Sequence, residues 1–153
     1  MNQTKTILAL WHAADKGKTE TLRAFAIFLL QQYPQHQAVV PVPAVVPQSG
    51  DFRLVVRIKN KVVAVESQGD PNTDLQDRLE ELVNQYEADI ILCSTRTKGD
   101  TVDAVEHLCS TYGYDSIWTS TYQAEDNQSH SHRTLNDTKG KHLLDLLQTL
   151  QLI

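Results

Sequence analysis

The segment from Ile7 to Thr19 limits the possible folds of this chain more than any other. Five apolar residues, Ile7-Leu8-Ala9-Leu10-Trp11, run straight into His12-Ala13-Ala14-Asp15-Lys16-Gly17-Lys18-Thr19. A short, unbroken apolar run bounded by turn residues is the pattern of a strand buried on both faces. Beyond Thr19, the residues Leu22, Ala26 and Leu29, with Phe25 and Leu30 beside them, recur at helical spacing up to the stop signal Tyr33-Pro34. The segment therefore predicts strand, loop and helix in immediate succession, and a strand buried on both faces needs a layer on each side of its sheet.

The rest of the chain repeats that alternation. Ala38 to Pro47 is apolar but carries Pro41, Pro43 and Pro47, which cannot donate to a ladder, so it reads as an extended connector or edge segment and not as a central strand. Phe52 to Ile58 and Lys61 to Val65 are β-rich runs separated by Lys59-Asn60, the pattern of a hairpin with its first strand at the sheet edge and its second inside. A helix over Leu75 to Tyr86, with Leu75, Leu79, Leu82, Val83 and Tyr86 on one stripe, leads into the buried-strand run Asp89 to Ser94. Thr101 to Cys109 is again helical, and Gly113 stops it. A last strand, Ser116 to Ser120, and the polar segment Gln123 to Thr134 precede a helix bearing Leu143, Leu144, Leu147 and Leu150. The predicted fold is a single α/β domain over residues 1–153, a three-layer sandwich whose mostly parallel sheet has helices on both faces and one antiparallel edge strand.

Charge and composition exclude several partners. A net charge of −5 without any basic stretch argues against nucleic acid, because binding a phosphate backbone takes clustered Lys and Arg. No apolar run is long enough to span a membrane and no signal-peptide core is present, so the expectation is a cytoplasmic protein without a membrane partner. Cys93 and Cys109 read as small core residues, since neither has a partner at ligand spacing. His130-Ser131-His132 has the look of a metal pair, yet no third ligand stands near it, and the surrounding polar loop reads better as a lid.

The loop between the first strand and helix carries the chemistry. It fits G-x-x-x-x-G-K-[ST] at Gly17, Lys18 and Thr19, with His12 in place of the first glycine. In that pattern backbone N–H groups cradle phosphates, the Lys reaches the β/γ-phosphates and the hydroxyl holds Mg²⁺, while the helix presents its positive end to the anion. His12 at a glycine position calls for either a loop that shifts to accommodate it or an imidazole that contacts the γ-phosphate. Ligands of open α/β sheets bind at the carboxyl ends of the strands, where Glu66 and Asp70 follow the second hairpin strand. Either could hold the water shell of Mg²⁺ or position a nucleophile; alternatively Asp70-Pro71 starts a turn and Asp74 caps the next helix. Arg96, after the strand expected beside the loop strand, could reach a phosphate or an acidic group, or be a surface residue at a strand end.

On these residues the chain resembles the P-loop NTPase superfamily, over most of its length in element order and specifically in the first motif alone. The resemblance implies that His12, Ala13, Ala14, Asp15, Lys16, Gly17, Lys18, Thr19 and Glu20 line the nucleotide site, that Thr19 ligates Mg²⁺ with help from Glu66 or Asp70, and that Lys18, Glu66, Asp70 and Arg96 serve catalysis. Glu66 and Asp70 match the Walker B position by location only. Glu66-Ser67-Gln68-Gly69 and Thr97-Lys98-Gly99-Asp100 also resemble the D-x-x-G and [NT]-K-x-D motifs of small GTPases. One helix and one strand separate them where that family has an additional strand and helix, so ATP is preferred to GTP. Three classes of function follow: a nucleotide hydrolase or phosphotransferase, a catalytically weak nucleotide switch or subunit, and a degenerate P-loop domain used for association with a protein partner or a second copy.

Overall fold

The computed structural model describes residues 4–14, 16–125 and 131–153. In chain order its elements are β1 (Thr6–Trp11), α1 (Lys18–Gln32), β2 (Gln37–Val40), β3 (Arg53–Ile58), β4 (Lys61–Glu66), α2 (Leu75–Asn84), β5 (Ile90–Thr95), α3 (Asp100–Tyr112), β6 (Asp115–Ser120) and α4 (His132–Thr149). They form one sheet in the order β2-β3-β4-β5-β1-β6. The strands β4, β5, β1 and β6 are parallel, β3 runs against β4, and β2 runs against β3.

Side-chain alternation along the strands divides the core in two. Leu8 and Leu10 of β1, with Val63, Val65 and Leu92, pack against Leu22, Phe25 and Leu29 of α1 and Leu143 and Leu147 of α4. Ile7 and Ala9 face the other way, with Ala64, Ile91 and Cys93, toward Leu75, Leu79 and Leu82 of α2 and Val105 and Leu108 of α3. Helices therefore cover both faces of a mostly parallel sheet, consistent with a three-layer sandwich. Phe25, Leu22 and Leu29 are fully buried, and each such side chain contributes about 1.5–3 kcal/mol.

Two expectations are corrected. The antiparallel strand of the hairpin, β3, is not at the edge: the four residues of β2, which precede the first proline and keep their N–H donors, take the edge instead. Asp74 does not cap α2 with its side chain; it adopts φ +57° and contributes its carbonyl to Arg78 N–H at 3.1 Å. The hairpin turn follows the sequence reading, with Lys59 and Asn60 both at positive φ, +50° and +70°. Gly113 ends α3 in the left-handed region. Among the described residues no helix is long and apolar enough to cross a membrane.

Candidate functional site

The loop between β1 and α1 leaves the sheet at its carboxyl end, flanked by β5 on one side and β6 on the other. His12 N–H still donates to the Thr95 carbonyl at 3.1 Å, so the loop starts anchored to β5. His12 does not take positive φ, and the strain expected from replacing a glycine there is not present. The left-handed residue is Gly17, φ +80°, which precedes α1 and accepts from Thr21 N–H at 2.9 Å. A Cβ on Gly17 would lie 2.6 Å from Asn136 Oδ1 of α4, the movable end of a side chain, so it is the backbone conformation that favours glycine here.

Lys18, at the first position of α1, is buried, and its ammonium donates to the carbonyls of His12 at 3.0 Å and Thr95 at 2.9 Å. The charge is thus drawn across the loop toward β5. No side chain caps the amino end of α1. The imidazole of His12 stacks on Trp11 with centroids 6.0 Å apart, and burial, then the charges of Lys16 and Lys18, hold its pKa below the ordinary histidine value. Lys16, Gly17, Lys18, Thr19, Glu20 and Asp70 line one depression at this end of the sheet. Ala13 and Ala14 complete the loop, and Asp15 lies outside the described residues.

The carboxylate bonded to Thr19 is one that the sequence reading missed. Thr19 Oγ1 donates to Asp51 Oδ1 at 3.1 Å, and the same oxygen accepts from Ser67 Oγ at 3.1 Å. Arg23, a buried residue of α1, holds the approach to β3 by donating to the carbonyls of Gly50, at 2.8 Å, and Pro47, and pairs with Glu20 at 3.1 Å. A signal for this pairing did exist. Counting the hairpin outward from Lys59-Asn60 pairs Arg53 with Glu66 and so sets residue 52 beside 67, where Phe52 N–H meets Ser67 Oγ at 2.7 Å.

Glu66 is not part of this group. It is buried and accepts from Arg53 at 2.7 Å and 2.9 Å, with Arg78 at 3.7 Å, while Arg53 also pairs with Glu81 at 2.8 Å. Burial pushes its carboxyl pKa up, against the pull of Arg53 and Arg78. Asp70 does reach the depression, and Arg96 is bound to it at 3.1 Å and 3.2 Å. Gly69 permits this placement: a Cβ there would fall 1.8 Å from the Ser94 carbonyl, so only glycine lets the segment after β4 cross the end of β5. The structure therefore brings together Lys16 to Glu20, Asp70 and Arg96, and keeps Glu66 apart.

The remaining candidates are simpler. Gly99 precedes α3 without a side-chain cap, and Asp100 Oδ2 accepts from Asn72 N–H at 3.2 Å. Of the proposed lid, residues 132–134 belong to α4, which Ser131 caps by accepting from Thr134 N–H at 3.2 Å. His130, the other half of the histidine pair, lies outside the described residues. Among the described residues no three His, Cys, Asp or Glu side chains are grouped to hold a metal ion, and Cys93 and Cys109 are free thiols. Comparison with family models, with curated proteins and with solved structures gives no match.

Proposed function

We propose that the chain is a P-loop nucleotide-binding protein that takes Mg²⁺-ATP, with GTP less favoured, and hydrolyses or transfers the γ-phosphate. The observation that supports this most is Lys18. Its ammonium is buried at the mouth of the loop on two carbonyls, a position from which it could turn to a phosphate, while Gly17 ends the loop in the left-handed conformation and no side chain caps the first N–H groups of α1.

Thr19 and Asp51 offer oxygen donors only, which fits a hard cation that keeps most of its waters. These two residues would hold Mg²⁺, with Asp70 across the depression; Glu66, committed to Arg53 and Arg78, would not. When bound, Mg²⁺ supplies neutralisation of phosphate charge. Arg96 would stabilise charge during transfer, and Asp70 would orient both Arg96 and an attacking group.

The engagement of Asp70 with Arg96, and of Asp51 with Thr19 and Ser67, favours a second reading. A site whose carboxylates are held by Arg96 or committed to the Thr19 side offers no ready general base, as expected of a catalytically weak nucleotide switch. Calorimetric titration of Mg²⁺-ATP into the parent and Lys18→Ala tests binding: the variant should lose at least about 100-fold in affinity with its circular dichroism retained. Equal affinity would end the P-loop reading. A parent that binds ATP yet shows no single turnover would leave the switch.

A further inference from the structure

The two tryptophans of this chain stand at the same end of the sheet, on the face opposite α1. Trp118 of β6 pairs in register with Ala9 of β1, so Trp11 lies two residues further along the neighbouring strand and on the same face. Each indole is 37 % exposed, whereas Ile7, Ala9, Ala64, Ile91 and Cys93 on the same face are buried under α2 and α3. Between them, Val102 and Glu106 of α3 with Arg96 and Thr97 complete a mostly apolar cleft of about 350 Å³.

We propose that this cleft binds a nucleobase. Two exposed indoles on adjacent strands provide π-faces on which a planar ring stacks. The volume lies at the lower end of the range for small-molecule sites and is enough for one ring system. Glu106 and Arg96 are the charged groups of the lining, a carboxylate that accepts from an exocyclic amino group and a guanidinium that donates to a ring nitrogen or carbonyl. Arg96 also joins the cleft to the phosphate depression, because its partner Asp70 lines that depression, and Trp11 directly precedes His12. The choice of a nucleobase over other planar rings rests on the nucleotide reading above. The base belongs either to the bound nucleotide itself or to a separate acceptor nucleoside.

The test uses nucleosides, which carry no phosphate. Since both tryptophans line the cleft, the whole indole emission of the full chain reports on it. Adenosine, cytidine or guanosine should quench it saturably with Kd below about 1 mM, and uridine, lacking an amino group, should bind more weakly. By calorimetry Trp118→Ala should weaken the preferred nucleoside about tenfold or more, while Trp118→Phe, which keeps a stacking face, should stay within about threefold. Lys18→Ala should leave nucleoside affinity unchanged, so loss of ATP binding and loss of base binding are separate results. Displacement of the nucleoside by Mg²⁺-ATP assigns the cleft to the base of the nucleotide; simultaneous binding assigns it to an acceptor. Linear, non-saturating quenching by all four nucleosides, or equal affinity in Trp118→Ala, overturns the proposal.

Discussion

Glu66 and Ser67 are neighbours in sequence, yet they belong to different parts of the molecule. Glu66 points to the α2 face, where its carboxylate sits between Arg53 and Arg78. Ser67 points to the α1 face, where its hydroxyl meets the Asp51 oxygen that also accepts from Thr19. The strand alternation that separates the two cores thus separates a structural ion cluster from the groups beside the loop. Position along a strand says that a residue is near the carboxyl end of the sheet, whereas parity decides which face it serves. A carboxylate at the end of β4 has the wrong parity for Thr19, and one delivered by the approach to β3 has access to it.

Breaking the ion cluster should give the largest effect and should spare binding. Arg53→Ala leaves Glu66 buried with only Arg78 nearby, at 3.7 Å, and should destabilise the fold by about 3 kcal/mol, the lower end for a buried pair deprived of one partner. Thermal melts would register this as a fall in Tm of roughly 10 °C, while nucleotide affinity measured well below the new Tm stays within a few-fold. A large loss of affinity with the fold intact would place the cluster in the site and erase the contrast between the two faces.

The opposite pattern should hold for Asp51→Ala. Asp51 is exposed, so truncation should change stability by no more than about 0.5 kcal/mol. Affinity for Mg²⁺-ATP should fall about tenfold, whereas affinity without Mg²⁺ should hold or rise, since a negative charge is removed beside the phosphates. Titrations with and without Mg²⁺ read the difference directly. An equal loss under both conditions would make Asp51 a support of the loop and not a metal contact.

Local order was legible in the sequence; the pairing of distant segments was legible only in part. The run Ile7 to Trp11, the period of Leu22, Ala26 and Leu29 and the two-residue turn at Lys59-Asn60 each encode structure within a few residues, and each element formed where expected. Asp51 contacts Thr19 across 32 positions and Ser67 across 16, a relation that depends on hairpin register and on Arg23 holding Pro47 and Gly50. The prolines of Ala38 to Pro47 left two readings open, a connector or an edge segment, and Gln37 to Val40, which retain the donors that a strand needs, take the edge. The tryptophan cleft had no local signature, because β1 and β6 become neighbours only when the sheet closes around β1.

The smallest effect concerns His12, and it arises on the loop side of the same comparison. Burial and the charges of Lys16 and Lys18 hold its folded-state pKa below the ordinary 6.5, so near that pH the unfolded chain binds more protons than the folded one. The contribution of His12 to stability is therefore fully present above pH 6.5 and is lost as pH falls through the lowered folded value. A bound phosphate reverses this bias, because an anion beside the imidazole favours its charged form. Binding should then take up a proton, and ATP affinity in the parent should rise about two- to threefold as pH falls from about 7.5 toward 5.5, beyond the change that the triphosphate itself shows. His12→Asn should remove that excess and bind like the parent at the higher pH. If the variant keeps the parent's pH dependence, the imidazole does not face the phosphates, and its role is confined to the stack on Trp11 and to the bond its Nδ1 accepts from Ala13 N–H at 2.8 Å.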